Sequence, residues 1–144
     1  MNFDKILLPV DFSPASDRAL SYAIQVSQQH DAELILLHAF RLIHQFPLPS
    51  TINRVDIKRE LERRATLNFA EWDKQLNHLG LHYSFVSEVG FVDERIVSTV
   101  NTRNISLVIL YDEIQKKVME MDANGQERLI RALHCPVMLL PVAG

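Results

Sequence analysis

The stretch from Leu107 to Leu129 holds the residues on which ligand chemistry in this chain would turn. It opens as a short apolar strand, Leu107–Leu110, and in a parallel α/β protein the loop after such a strand is where ligands sit. A loop that cradles phosphates needs glycine there, because a missing Cβ lets backbone N–H groups close on the anion and adopt positive φ. The chain has four glycines, Gly80, Gly90, Gly125 and Gly144, and none lies between Tyr111 and Asn124. Tyr111 and the β-branched Ile114 resist both requirements. Residues 111–128 also carry five acids, Asp112, Glu113, Glu120, Asp122 and Glu127, against three bases, Lys116, Lys117 and Arg128. A triphosphate would meet net repulsion. Asn124-Gly125-Gln126-Glu127 reads as a variant capping box, with Asn124 as N-cap and Glu127 folding back, so the helix N-terminus open to a phosphate is taken by its own side chains. A modified phosphate loop is the alternative.

Asp11, at the end of the first apolar run, is the second candidate. With Pro9, Val10 and Ala39 it could line a pocket for a base without any phosphate loop. The competing reading, and the expected one, is that Asp11 caps or braces the turn at Ser13. Six histidines are scattered; His78 and His82 are four apart but flank Gly80, and no third ligand is spaced near them, so no metal site is expected. Cys135 precedes Pro136 with His134 as its one basic neighbour, the pattern of a packed cysteine rather than a nucleophile. There is no G-x-S-x-G and no paired-carboxylate spacing suited to catalysis.

Short apolar runs alternate with amphipathic segments, and these must position the candidates. Lys5–Val10 is the first strand, and Ser13 with Pro14 caps and starts a helix to about His30, with Ala19, Leu20, Ala23, Ile24, Val26 and Ser27 on one side. Glu33–Phe40 is apolar almost throughout, as strands buried on both faces are. Residues 41–54, with Pro47 and Pro49, read as a loop. From Val55 to Leu79, Ile57, Leu61, Ala65, Phe69, Trp72, Leu76 and Leu79 form a helical stripe that Gly80 ends. Leu81–Val89 is the third strand, Asp93–Arg103 a helix with Ile96, Val97 and Val100 inward, and Leu107–Tyr111 the fourth strand. Ile114, Val118 and Met121 have helical spacing, which predicts at least one helical turn over the space a triphosphate would use. Gly125–Leu133 is the last helix and Pro136–Val142 the fifth strand. This β-α order gives one domain over 1–144, an open parallel α/β sheet with helices on both faces.

Composition bounds the function. At 144 residues the chain can bury a real core, and 47% hydrophobic and 23% charged residues are ordinary for a soluble domain. A net charge of −3 gives no drive toward nucleic acid. One cysteine cannot form an internal disulfide, which suits a reducing compartment. No apolar run is long enough to span a bilayer, and the N-terminus lacks a signal-peptide pattern. A cytoplasmic protein that binds neither membrane nor nucleic acid is expected.

Five stretches in register, KILLPVDFSPASDRAL (5–20), ELILLHAF (33–40), EVGFVDERIV (88–97), NISLVILY (104–111) and RLIRALHCPVMLLP (128–141), resemble the universal stress protein family. The resemblance implies a Rossmann-like sheet of order 3-2-1-4-5 and a non-enzymatic role in stress response. It also implies a homodimer in which fifth strands pair antiparallel through Val137, Met138, Leu139, Leu140 and Val142. Such pairing would cover an apolar edge that is otherwise an aggregation hazard. ATP-binding members carry a glycine, two residues, a second glycine, nine residues, then glycine with serine or threonine. The first falls at Tyr111, the second at Ile114 and the third at Asn124 before Gly125, or at Ala123 when counted back from Cys135, so the pattern fails on either count. The expectation is no cofactor and output through an unidentified protein partner. The alternative is ATP or another adenine nucleotide in a vestigial, low-affinity site of Pro9, Val10, Asp11, Ala39, Tyr111, Asn124 and Gly125, with at most weak ATPase activity.

Overall fold

The computed structural model describes residues 3–42, 53–120 and 122–141. Five strands, β1 (Lys5–Pro9), β2 (Glu33–Phe40), β3 (His82–Val89), β4 (Leu107–Tyr111) and β5 (Val137–Leu140), form one parallel sheet in the order β3-β2-β1-β4-β5. The centre of the sheet is the core: Ile6, Leu7, Leu8, Leu34, Leu36 and Val108 have no accessible surface, which is why these strands read as unbroken apolar runs.

Helices α1 (Pro14–His30) and α2 (Arg54–Leu76) belong to the crossovers running one way from β1, and α3 (Val92–Arg103), α4 (Asp112–Met119) and α5 (Gly125–Ala132) to those on the other side. Right-handed crossovers therefore put the two groups on opposite faces. The order in which strands are added reverses between β1 and β4, and these two parallel strands have only Ile6–Leu107 and Leu7–Val108 as register pairs. Beyond Leu8 the strands part, and a crevice forms at their carboxyl ends.

The structure corrects several sequence expectations. Ser13 holds the N-cap position of α1, but its side chain makes no cap bond and turns to Asp11 instead. The stripe on α2 is buried at Ala65, Phe69, Trp72 and Leu76, yet the helix stops at Leu76 and Leu79 is exposed. Gly80, at φ +68°, sits in the turn before β3 rather than at the helix end. In α3, Thr99 is buried and bonds its hydroxyl to the Arg95 carbonyl, whereas Val97 is half-buried. Of the loop expected over 41–54, Arg54 already belongs to α2, and residues 43–52 lie outside the described residues, as do Met121 and Val142. No helix among the described residues is long and apolar enough to cross a membrane.

Candidate functional site

The crevice between β1 and β4 is bridged from below by Tyr111. Its phenol donates to Asp11 Oδ1 at 2.5 Å, and its oxygen accepts the Asp11 backbone N–H at 2.9 Å. Ser16 Oγ lies 2.8 Å from the same carboxylate oxygen and 2.6 Å from the phenol oxygen. Ser13 donates to Oδ1 through both its hydroxyl, at 2.7 Å, and its N–H, at 3.2 Å. One carboxylate oxygen thus collects Tyr111, Ser13 and Ser16, and Asp11 braces the β1–α1 turn. Burial pushes the Asp11 carboxyl up, but these hydrogen bonds together outweigh it and hold the group below its ordinary value. Burial and the bond to Asp11 push the Tyr111 phenol up, so it stays protonated well beyond the usual range.

Above this bridge lies a cleft of about 550 Å³ at the carboxyl ends of β1 and β2, closed by the first turn of α3 and by α4. Val10, Asp11 and Ala39 line it. Pro9 does not; it lies in β1 in register with Leu37. Tyr111 is buried and sits beneath the cleft, while Asn124 lies outside it and Gly125 lines a neighbouring cleft instead. The structure also brings in His38 and Lys117, which the sequence did not single out. His38 Nδ1 faces the Val10 carbonyl at 3.2 Å, and its ring lies 4.8 Å from Phe12 and 5.8 Å from Phe40. Burial lowers its pKa, against the pull of the Val10 carbonyl and the Asp11 carboxylate. A signal for Ser16 was present: Asp11, Ser13 and Ser16 are spaced so that both hydroxyls fold back on the carboxylate that precedes the helix.

The segment after β4 is helical from its first residue. Tyr111 is the N-cap of α4, Ile114 and Val118 are buried, and Asp112 and Glu113 lie in the first turn. Those two carboxylates meet the positive end of the helix dipole, and Lys116 pairs with both at 3.0 and 3.8 Å. Residues 112–124 contain no glycine to bring N–H groups close to a phosphate. The expected capping box at α5 does not form: the Asn124 side chain makes no cap bond, and its own N–H donates to Asp122 Oδ1 at 3.0 Å. Asp122 also pairs with Arg128, so this acid, not Glu127, organises the turn. Gly125 has a different reason to be there. Its Cα faces the backbone of Val118, where a Cβ would stand inside the contact distance of the Val118 carbonyl oxygen and 3.2 Å from its carbon. Cys135 is half-buried, and burial pushes its thiol up, which disfavours the thiolate.

The sequence matches the model of the Universal stress protein family over residues 2–141. No curated protein matches it. Among solved structures it is similar to the hypothetical protein MJ0577, at a TM-score of 0.77 and 20% identity over 100% of this chain and 99% of that one. It is similar to the universal stress protein UspA of Lactobacillus plantarum, at a TM-score of 0.70 and 16% identity over 97% and 99%. A universal stress protein family protein of Arabidopsis thaliana, solved with AMP bound, gives a TM-score of 0.67 and 14% identity over 98% and 93%. At these identities the likeness to solved structures is one of fold.

Proposed function

The chain belongs to the universal stress protein family, and from that premise we propose that it is a non-enzymatic stress-response protein that does not hold ATP through a phosphate loop. The observation that carries this reading is α4. A helix with Ile114 and Val118 packed inward occupies the loop after β4, and its first turn carries the carboxylates of Asp112 and Glu113 where a phosphate would have to sit. Isothermal titration with Mg-ATP should stay flat up to millimolar nucleotide. Saturable heat in the micromolar range overturns the reading.

The cleft of about 550 Å³ favours a second reading, an adenine ligand held without a triphosphate, since Val10 and Ala39 still offer an apolar wall. The Arabidopsis thaliana relative carries AMP. AMP titrated alongside ATP separates the two: micromolar AMP binding with flat ATP selects this second reading.

The proposal includes a cytoplasmic homodimer formed through β5. This strand pairs with β4 on one side, and its outer side is a sheet edge. Met138 and Leu140 pack against the core, whereas Leu139 is 45% exposed and free to meet a second copy. Leu139→Lys should leave the fold intact and bring two like charges together across the two-fold. Sedimentation velocity should show dimer dissociation strengthened at least tenfold. An unchanged dimer at micromolar concentration points to another interface.

A further inference from the structure

We infer that the trough crossing α3, α4 and α5 binds a short basic segment of a protein partner, with an apolar side chain seated on Val97, Val118 and Leu129 and lysine or arginine flanks held by Asp93, Glu94 and Glu120. The inference rests on the non-enzymatic reading above and gives its partner a chemistry. The cleft over Asp11 does not end at α4. A second cleft of about 510 Å³ lies between α3 and α5, and the two share Asp93, Glu94 and Val118. The two clefts adjoin along these three residues, and Val97, Val118 and Leu129 give the junction an apolar floor. Val118 and Leu129 are buried in that floor, and Val97 is half-buried.

The charges along the trough decide what can lie in it. Asp11 is committed to Tyr111, Ser13 and Ser16, and Asp122 is paired with Arg128. Asp93, Glu94 and Glu120 make no ion pair among the described residues, and Glu94 and Glu120 are exposed. Asp93 and Glu94 gain from the α3 dipole, but a helix N-terminus carries roughly half a positive charge, which leaves most of their charge uncompensated. The bases in the lining of the first cleft are Lys117 and Arg41, and the Arg41 guanidinium is drawn over the Phe91 ring at 4.5 Å. Carboxylates spaced around one trough act together within a screening length of about 8 Å in physiological salt. They raise the local concentration of cations and repel anions. An apolar seat that excludes water beside such a rim is the arrangement that fixes one side chain and steers its charged neighbours.

The test uses the full-length chain, labelled with ¹⁵N, and a fluorescein-tagged hexapeptide of two leucines flanked on each side by a lysine and an arginine. Amide shifts should cluster in residues 92–98 and 117–132, and anisotropy should report saturable binding. Glu94→Gln with Glu120→Gln, two exposed changes that preserve shape, should weaken binding at least tenfold and flatten its salt dependence. Val97→Asn should weaken it at least fivefold with the salt dependence kept. A control peptide with glutamate in place of each base should not bind. Shifts on another surface, equal binding by the acidic peptide, or unchanged affinity in the glutamine double variant would overturn the inference. So would trough resonances that move with protein concentration alone, because a second copy then fills the trough. Mg-ATP is titrated separately. Peptide binding together with ATP binding defeats the reading that the chain does not hold ATP and leaves the trough standing; absence of both defeats the trough alone.

Discussion

Gly125→Ala is expected to lower the unfolding midpoint by roughly 10 °C, the equivalent of about 3 kcal/mol in a chain of this size. Helix propensity alone predicts the opposite sign, since alanine favours a helix over glycine by about 1 kcal/mol. Packing reverses it. The new Cβ would press on the carbonyl oxygen of Val118, and its nearest neighbours also include the Val118 carbonyl carbon at 3.2 Å. A flexible side chain could swing away; a backbone carbonyl at the end of a helix cannot move without carrying α4 with it. Relief therefore means separating α4 from α5 and lifting Val118 from the core, where it is buried. Thermal denaturation followed by circular dichroism measures the effect. An alanine variant as stable as the parent would show that the two helices are not locked at this point.

Tyr111→Phe is expected to cost about 2–4 kcal/mol at neutral pH, because a bond to a charged carboxylate is lost and a part-buried N–H of Asp11 is left without its acceptor. The pH dependence identifies the cause. The Asp11 carboxyl is held below its ordinary value in the folded chain, so its contribution is complete above the unfolded value near 4 and is lost as pH falls through the lower folded value. The Tyr111 phenol is raised, so its contribution is complete below the unfolded value near 10 and is lost as pH rises beyond it. Phenylalanine removes the phenol and lets the Asp11 carboxyl drift upward. The difference between parent and variant should then be greatest on the plateau between these limits and shrink toward both acid and alkali. Urea titrations at pH 3, 7 and 10.5, chosen to bracket the reference values, measure it. A difference that is the same at all three would assign the loss to packing alone.

Much of this fold was legible because it is written in periodicity. The strands at Glu33–Phe40 and Leu107–Tyr111 and the helix from Pro14 to His30 begin and end where the apolar runs and turn residues place them. The sheet order came from resemblance, and the pairing bears it out. The spacing of Ile114 and Val118 foretold the turn of helix after β4. What was illegible depends on competition between neighbours. Asn124 and Glu127 fit a capping box, but Asp122 reaches the Asn124 N–H first. Asn53 and Asp56, not recognised in sequence, form a complete box at the start of α2. The site depends on still longer reach. Tyr111 reads in sequence as an obstacle to phosphate, and its bond to Asp11 spans a separation of 100 residues that no local pattern carries. Gly125 looks like the remnant of a loop, whereas its missing Cβ is used by α4.

Trp72 is the only indole in the chain. Its N–H faces Asp17 of α1 at 3.3 Å, and its ring packs 5.1 Å from Phe12, which holds a left-handed backbone at φ +59° in the β1–α1 turn. Intrinsic fluorescence therefore has a single address, the junction of α1, α2 and that turn. Tyr111, the most buried of the three tyrosines, lies on β4, and the part of the tyrosine absorbance that Tyr111→Phe removes reports the other half of the sheet. Trp72 and Tyr111 are thus native chromophores on opposite sides of the crevice. If β4 and β5 loosen before β3, β2 and β1, emission and absorbance will change at different denaturant concentrations, and the transition will cease to be two-state without any label having been introduced.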